Sequence, residues 1–377
     1  MLQIQKLDVT SHPSFDDHEE VVSFKDPVSG LNAIIAVHNT NLGPALGGCR
    51  FFPYAEYNDA ITDVLRLSRG MTYKSALAKL PLGGGKAVII GDPRKDKTEA
   101  MMESFGEAIE HLQGRYVSAE DVGTNEHDMI AINRKTKHVT GLPALAEGEA
   151  GVSGNPSPVT AYGCFFGIKA CAKEKYGTAD LTGKTVAIQG MGAVGYALAQ
   201  YLIEAGANLI VADVHQNALD KAKQEFGDRV RILDASMILS AEADILAPCA
   251  LGAILNDRTI PTIKAEIIAG AANNQLAEKK HDAMLKDMGI LYAPDYAINS
   301  GGVTSVGYEY YWRLGRDMGG RSFTTEAMTA HVEKIEETLL SVFTIARTKN
   351  LPTGESADQL AEDIFKTGAL DSASRTY

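Results

Sequence analysis

The run Gly190-Met-Gly192-Ala-Val-Gly195 constrains the fold more than any other, because of what stands on either side of it. Before it, Thr185-Val-Ala-Ile-Gln189 has the length and apolar content of a buried strand; after it, residues 196–205 read as a helix that stops at Gly206. Strand, G-x-G-x-x-G and helix in that order permit a tight turn, close approach of backbone to a pyrophosphate, and packing of helix on strand. The helix N-terminus adds N–H donors and positive potential. The next strand-like run, residues 209–212, ends at Asp213, near the offset of about 20 residues at which a carboxylate receives an adenosine ribose diol. Asp213 would repel a 2′-phosphate, and Val214, His215 and Gln216 offer no arginine to receive one, which favours NAD over NADP. The expected cofactor contacts are Gly190, Gly192, Ala193, Val194, Gly195 and Asp213. A structural turn with a solvated aspartate is the plain alternative; the mutual agreement of the elements weighs against it.

Such a unit fills only part of 377 residues, and the length implies about two domains. Residues 147–158 concentrate Gly, Pro and Ser and break both helix and strand periodicity, as a hinge does. Beyond a helix at 159–175, apolar strands alternate with helices at 185–189, 208–212, 230–233, 244–247, 267–269 and 290–293. That alternation argues for an α/β fold with a doubly wound, Rossmann-type parallel sheet. The expected domains are 1–150 for substrate and catalysis, 151–330 for the dinucleotide, and 331–377 for C-terminal helices that pack back toward the first. In the third region Val332, Ile335, Leu339, Val342 and Phe343 lie along one helical face, and a last helix is expected to start at Ser356, whose spacing to Gln359 suits a capping box.

The formal charge of −12 disfavours nucleic acid and anionic membranes as partners. No segment approaches 18 uninterrupted apolar residues, and the start of the chain lacks a signal-peptide pattern, so a cytoplasmic protein without membrane spans is expected. The four cysteines form no C-x-x-C pair and the nine histidines no H-x-x-x-H pattern; no disulfide framework and no metal site are expected.

In an open parallel sheet, ligands gather beyond the carboxyl ends of the strands. Cys249 and Ala250, Asn273, and Asn299 after the apolar run Pro294-Asp-Tyr-Ala-Ile298 stand at such ends and are candidates to line the nicotinamide half. Ordinary turns or core packing would also accommodate each one.

Upstream, Gly70-Met-Thr-Tyr-Lys74 and Leu82-Gly-Gly-Gly-Lys86 place two lysines in one apolar neighbourhood. Lys74 follows a helical pattern of Ala60, Ile61, Val64, Leu65, Leu67 and Met71, and Gly83 to Gly85 read as a turn ahead of the strand at 87–90. A snorkelling lysine and a plain turn would explain both. Opposite a nicotinamide they acquire work: an acidic substrate needs a cation for its carboxylate, and water needs a base to activate it. A lysine short of water and close to another cation sheds its proton more readily, which suits Lys86. Asp121, in Ser118-Ala-Glu-Asp-Val-Gly123, would supply a carboxylate for proton exchange, although an Asx turn or a cap for a helix beginning near Asn125 is the simpler reading of it.

Together with Leu42-Gly-Pro-Ala-Leu-Gly-Gly-Cys-Arg50, Pro158-Val-Thr-Ala-Tyr-Gly163 and Gly270-Ala-Ala-Asn-Asn-Gln275, these segments resemble the leucine, valine and phenylalanine dehydrogenases of the glutamate dehydrogenase superfamily. The resemblance runs from about residue 26 to 302. It implies a substrate domain, an NAD domain and a cleft that closes around the substrate. It further implies that Lys74 binds the substrate carboxylate near the Gly47-Gly48 backbone, that Lys86 activates water, and that Asp121 exchanges protons with the amine. Leu46, Met71 and Ala119 would line the substrate site, Asn299 would orient the amino acid, and Thr160 and Asn273 would contact the nicotinamide half. The implied reaction is reversible, NAD-dependent oxidative deamination of leucine, with valine and isoleucine as further substrates, to a 2-oxo acid and ammonium. An octamer or a dimer is implied as the assembly. Asp26-Pro-Val-Ser-Gly-Leu31 resembles the phenylalanine-specific members instead, and Tyr308 to Phe323 departs from the branched-chain pattern, which keeps an aromatic substrate as the alternative. A non-catalytic NAD sensor would have no need of Lys74, Lys86 and Asp121 together.

Overall fold

The computed structural model describes residues 1–143, 151–152 and 154–368. Residues 147–150 and 153 of the expected hinge lie outside the described residues. By contacts the chain divides into two compact units, one comprising Met1–Asn155, Val303–Met328 and the described residues from Ala361 onward, the other Pro156–Gly302 and Thr329–Leu360.

The first unit begins with β1 (Gln3–Lys6), β2 (Glu20–Asp26), β3 (Leu31–Asn39), β4 (Ala45–Phe52), α1 (Tyr57–Leu77), β5 (Gly83–Ile90), α2 (Glu99–His111), β6 (Tyr116–Glu120) and α3 (Glu126–Asn133). Its sheet has the order β1-β2-β3-β5-β4-β6, with antiparallel pairs up to β5 and parallel pairs from β5 through β4 to β6. Strand alternation sends Ala87 and Ile89 into a core with Met102, Phe105 and Ile132 of α2 and α3. Val88 enters the opposite core with Val64 and Leu65 of α1.

Gly83, Gly84 and Gly85 are not a turn; they are the first three residues of β5. Each is required by a close neighbour. A Cβ on Gly83 would overlap the Asn39 carbonyl, one on Gly84 the Thr72 backbone of α1, and one on Gly85 would stand 2.7 Å from the Tyr116 ring. The glycines therefore let α1, the end of β3 and the Tyr116 ring of β6 press on β5.

The second unit contains α4 (Ser157–Tyr176), β7 (Thr185–Gln189), α5 (Ala193–Glu204), β8 (Asn208–Ala212), α6 (Gln216–Phe226), β9 (Val230–Ile232), β10 (Ile245–Pro248), β11 (Ile267–Ile268), α7 (Lys280–Asp287), β12 (Leu291–Tyr292) and α8 (Asp295–Ile298). All its strand pairs are parallel, in the order β12-β11-β10-β7-β8-β9, the doubly wound arrangement expected. The apolar run at 294–298, expected as a strand end, is the short helix α8: a buried helical turn and a buried strand share the same composition.

α9 (Gly301–Arg313), α10 (Thr325–Val332), α11 (Ile335–Lys349) and α12 (Thr353–Thr367) complete the chain. Residues 303–328, expected in the second domain, pack with the first unit, where Tyr308 and Tyr310 are buried, Tyr311 donates to the Pro81 carbonyl at 2.5 Å, and Thr140 donates to the Val306 carbonyl at 2.8 Å. α11 packs on α4 in the second unit, while Tyr73 of α1 donates to Glu362 at 2.9 Å in the first. The last helix starts at Thr353, not Ser356. Asp282 accepts the Glu355 N–H at 3.1 Å and so caps it from a distance, a signal absent from the local sequence.

Candidate active site

Register brings several of the expected residues onto one face of the first sheet. Gly84 lies opposite Leu46, Arg50 opposite Val88, and Ala119 opposite Gly48, so alternation puts Leu46, Gly48, Arg50, Lys86 and Ala119 on the side covered by α1. α1 carries half-buried Met71 and, in its last turn, half-buried Lys74. Gly47 pairs with Ser118, and its carbonyl accepts the Tyr116 hydroxyl at 2.6 Å.

Asp121 follows β6 and reaches across β4 to β5. It does so over Gly48, where a Cβ would overlap the Glu120 carbonyl and stand 2.9 Å from the Asp121 Cβ. The loop that aims it is tied down at several points: Asp121 N–H donates to Thr124 Oγ1 at 2.9 Å, Thr124 Oγ1 donates to the Cys49 carbonyl at 2.9 Å, and Lys97 donates to the Gly123 carbonyl at 3.1 Å. Gly123 has φ +84, and a side chain there would run into the Phe51 carbonyl.

The helix cap that was the plainer alternative for Asp121 comes instead from Asn125, which accepts the Asp128 N–H at 3.2 Å while Asp128 accepts the Asn125 N–H at 2.9 Å. The Asp121 carboxylate is spent elsewhere. Its Oδ2 lies 2.6 Å from Lys86 Nζ and accepts Arg50 Nε at 3.2 Å. Burial pushes the Asp121 carboxyl upward, but the Lys86 and Arg50 charges outweigh burial and hold it at about 2. Lys86 itself is only 6% exposed. The neighbour that touches its ammonium is thus a carboxylate, with a second cation behind it.

Arg50 was missed as a site residue. It continues outward, donating Nη1 to Asp63 at 2.9 Å, and Asp63 also accepts the Tyr54 hydroxyl at 2.6 Å. The signal for it in the sequence is its place as the one cation ending the Gly47-Gly48-Cys49-Arg50 run.

In the second unit the glycine loop has the geometry of a pyrophosphate cradle. Gly190 turns with φ +94, a Cβ on Gly195 would overlap the Gly190 carbonyl, and nothing lies within 4 Å of a Cβ on Gly192. Gly192 heads α5 with no side-chain cap, which leaves the N–H groups of Ala193, Val194 and Gly195 for an external acceptor. Asp213 accepts Met191 N–H at 2.6 Å and His215 N–H at 2.8 Å, so the carboxylate at the end of β8 is fixed against the same loop. Cys249 and Ala250 flank it: Ala250 stands 2.7 Å from a Cβ built on Gly190, and burial pushes the Cys249 thiol up to about 11.

A second group gathers past β11. Buried Asn299 donates Nδ2 to Asn273 Oδ1 at 2.8 Å and to the Ala271 carbonyl at 3.1 Å. Thr160, in the first turn of α4, lies 2.6 Å from a Cβ built on Gly302. The Thr160 hydroxyl donates to the Pro156 carbonyl at 3.0 Å, and buried Asn299 Oδ1 is left to accept a hydrogen bond, as a carboxamide or an amine would donate.

Elsewhere in this unit Asp257, Glu278 and His281 lie together as metal ligands do. Lys280 Nζ, 2.9 Å from Asp257 and 3.4 Å from Glu278, already supplies the cation. His281 Nδ1 accepts the Glu278 N–H at 2.9 Å, which in the neutral ring makes Nε2 the protonated nitrogen and removes its lone pair from ligation.

Residues 18–138 match the Glu/Leu/Phe/Val dehydrogenase dimerisation domain, and residues 151–361 match the Glutamate/Leucine/Phenylalanine/Valine dehydrogenase domain. The chain belongs to this family. It is an amino acid dehydrogenase, an oxidoreductase. It is 50% identical to leucine dehydrogenase of Geobacillus stearothermophilus, over 93% of this chain and 91% of that one. Phenylalanine dehydrogenase of Lysinibacillus sphaericus is 44% identical over 93% of this chain and 89% of its own length. Among solved structures, L-tryptophan dehydrogenase from Nostoc punctiforme superposes with a TM-score of 0.79 at 40% identity, covering 93% of this chain and 97% of that one. Among the described residues of the dehydrogenase, no helix is long and apolar enough to cross a membrane.

Proposed function

We propose that this dehydrogenase catalyses the reversible, NAD-dependent oxidative deamination of L-leucine, and of valine and isoleucine, as a cytoplasmic homo-oligomer, an octamer or a dimer. The observation that carries the catalytic part is the buried Lys86–Asp121 pair, reached across Gly48 at the cost of a loop tied down on several sides. NAD in place of NADP is supported by Asp213 on the glycine loop. Leucine is supported by the higher identity to the leucine dehydrogenases than to the phenylalanine dehydrogenase, and by apolar Leu46 and Ala119 on the Lys86 face of the sheet.

NAD, held by the Gly190 to Gly195 loop and Asp213, would supply the hydride acceptor for the substrate Cα. Lys74 would hold the substrate carboxylate. Asp121 would take a proton from the amine, and neutral Lys86 would take one from the water that adds to the iminium carbon. Release of ammonia completes the balance: amino acid, water and NAD⁺ give 2-oxo acid, ammonium, NADH and one proton. An apolar pocket separates substrates differing by one methylene by only about 1–3 kcal/mol, which is why valine and isoleucine are included.

The test is a panel of branched, aromatic and acidic L-amino acids with NAD at alkaline pH, read as NADH formation. Leucine is expected to give the highest kcat/KM, and Lys86→Ala is expected to lower kcat at least about 10³-fold while NADH binding persists. A wild-type protein inert on the whole panel would overturn the enzyme reading; a higher kcat/KM for phenylalanine would overturn the substrate.

A further inference from the structure

We infer that Arg50 is a positioning residue of the catalytic pair: its guanidinium, fixed by Asp63, is the permanent cation that keeps Asp121 ionised while Lys86 is without its proton. The inference rests on the proposed roles of Lys86 and Asp121.

The geometry sets a problem that Arg50 solves. Lys86 and Arg50 converge on the same oxygen, Asp121 Oδ2, at 2.6 and 3.2 Å. A lysine that serves as a base must be neutral when it acts, and at that moment its charge no longer supports the aspartate. The Asp121 side chain is only 22% exposed, and burial favours its protonated form. With Lys86 alone as partner, loss of the lysine's charge would leave burial unopposed and push the Asp121 carboxyl upward. An arginine does not lose its proton in the working range. Burial opposes the Arg50 charge, and Asp121 and Asp63 outweigh it, so its guanidinium holds its proton more firmly than an ordinary arginine.

The other titratable groups nearby do not replace it. On β4 and β6, Cys49 is buried with its thiol pushed far up, and Tyr116 is buried beneath the sheet with its phenol likewise raised. Burial also raises the Glu120 carboxyl. From α1 and the turn before it come Asp59, Asp63, Arg66 and Tyr54, of which Asp63 and Tyr54 serve to anchor Arg50; Lys74 lies in the last turn of α1. Lys97, ahead of α2, is paired with Asp128 of α3 at 2.7 Å. Arg50 is the group that both touches the carboxylate and keeps its charge at every working pH. Its outer side borders a cleft of ≈ 450 Å³ lined also by Asp63, Tyr54 and Arg66, so water can fill the space that a shorter side chain leaves and Arg50→Gln is expected to fold.

The test compares wild type, Arg50→Gln and Arg50→Lys by the pH profile of kcat/KM for L-leucine oxidation. Loss of a fixed cation beside the pair makes protons harder to remove, so in Arg50→Gln the rising limb should move to higher pH by about one unit or more, an approximately tenfold loss at a fixed pH on that limb. Arg50→Lys, which keeps the charge, should return most of the shift. A substrate-free arm follows the Asp121 carboxyl carbon by NMR in the unliganded protein, assigned with Asp121→Asn. In wild type it should stay at its ionised position down to about pH 3, and in Arg50→Gln it should begin to move at higher pH. A lower maximal rate with the limb and the carboxyl titration unmoved would overturn the inference and leave Arg50 a structural residue. A wild type inert on all L-amino acids would overturn the proposed reaction alone, since the NMR arm still decides whether Arg50 holds the charge of Asp121.

Discussion

Asp121 links stability to chemistry. Its carboxyl is held at about 2 in the fold, against about 3.9 in an unfolded chain, so it binds fewer protons folded than unfolded at mildly acid pH. The stabilisation from this shift is therefore complete above about pH 5 and is lost as the pH falls through about 2. It amounts to about 2–3 kcal/mol. Asp121→Asn should lower the unfolding free energy at pH 7 by at least that amount, and the difference from wild type should shrink toward zero by about pH 2; urea unfolding across a pH series measures it. The residue types of this site were legible in the sequence: two lysines and an aspartate in an apolar context call for a job. What was not legible is that Asp121 bonds Lys86 across an intervening strand, since that depends on the order β5-β4-β6 and on the lack of a side chain at Gly48. Arg50 stayed unseen for the same reason: its partners Asp121 and Asp63 are 71 and 13 residues away.

At the scale of elements, glycines that look alike in sequence do different work. Gly195 is needed for the close approach of α5 to the Gly190 carbonyl, whereas a side chain at Gly192 would enter open space. Gly195→Ala should therefore destabilise the fold by about 1–3 kcal/mol as overpacking does, while Gly192→Val should leave thermal stability near wild type and weaken NADH binding at least about tenfold. Calorimetry for the first and fluorescence titration with NADH for the second separate the two cases. The glycine run at β5 shows where local reading fails. Three consecutive glycines read as a turn on propensity, yet they are strand residues because Asn39, Thr72 and Tyr116 leave no room for a Cβ, a tertiary requirement that composition does not display. The first turn of α12 escaped likewise, its cap Asp282 lying far away in the chain. The strand–glycine–helix unit at 185–204, in contrast, was legible whole, since strand, turn and helix signals lie within 20 consecutive residues.

For the whole molecule, alternating apolar strands and helices sufficed for the parallel sheet of the second unit, but not for the mixed strand order of the first or for how the chain is shared between the two. The division by contacts falls inside α9, α10 and α12, and a boundary inside a helix carries no linker composition to announce it. Each unit supplies half of the proposed chemistry, the Lys86–Asp121 pair in one and the glycine loop in the other. The most direct test follows the transferred atom. L-leucine bearing deuterium at Cα, incubated with NAD and the wild-type protein, should yield NADH that carries one deuterium, together with an equal amount of the 2-oxo acid. NADH without deuterium, or no NADH while the protein is folded and binds the cofactor, would contradict the assignment.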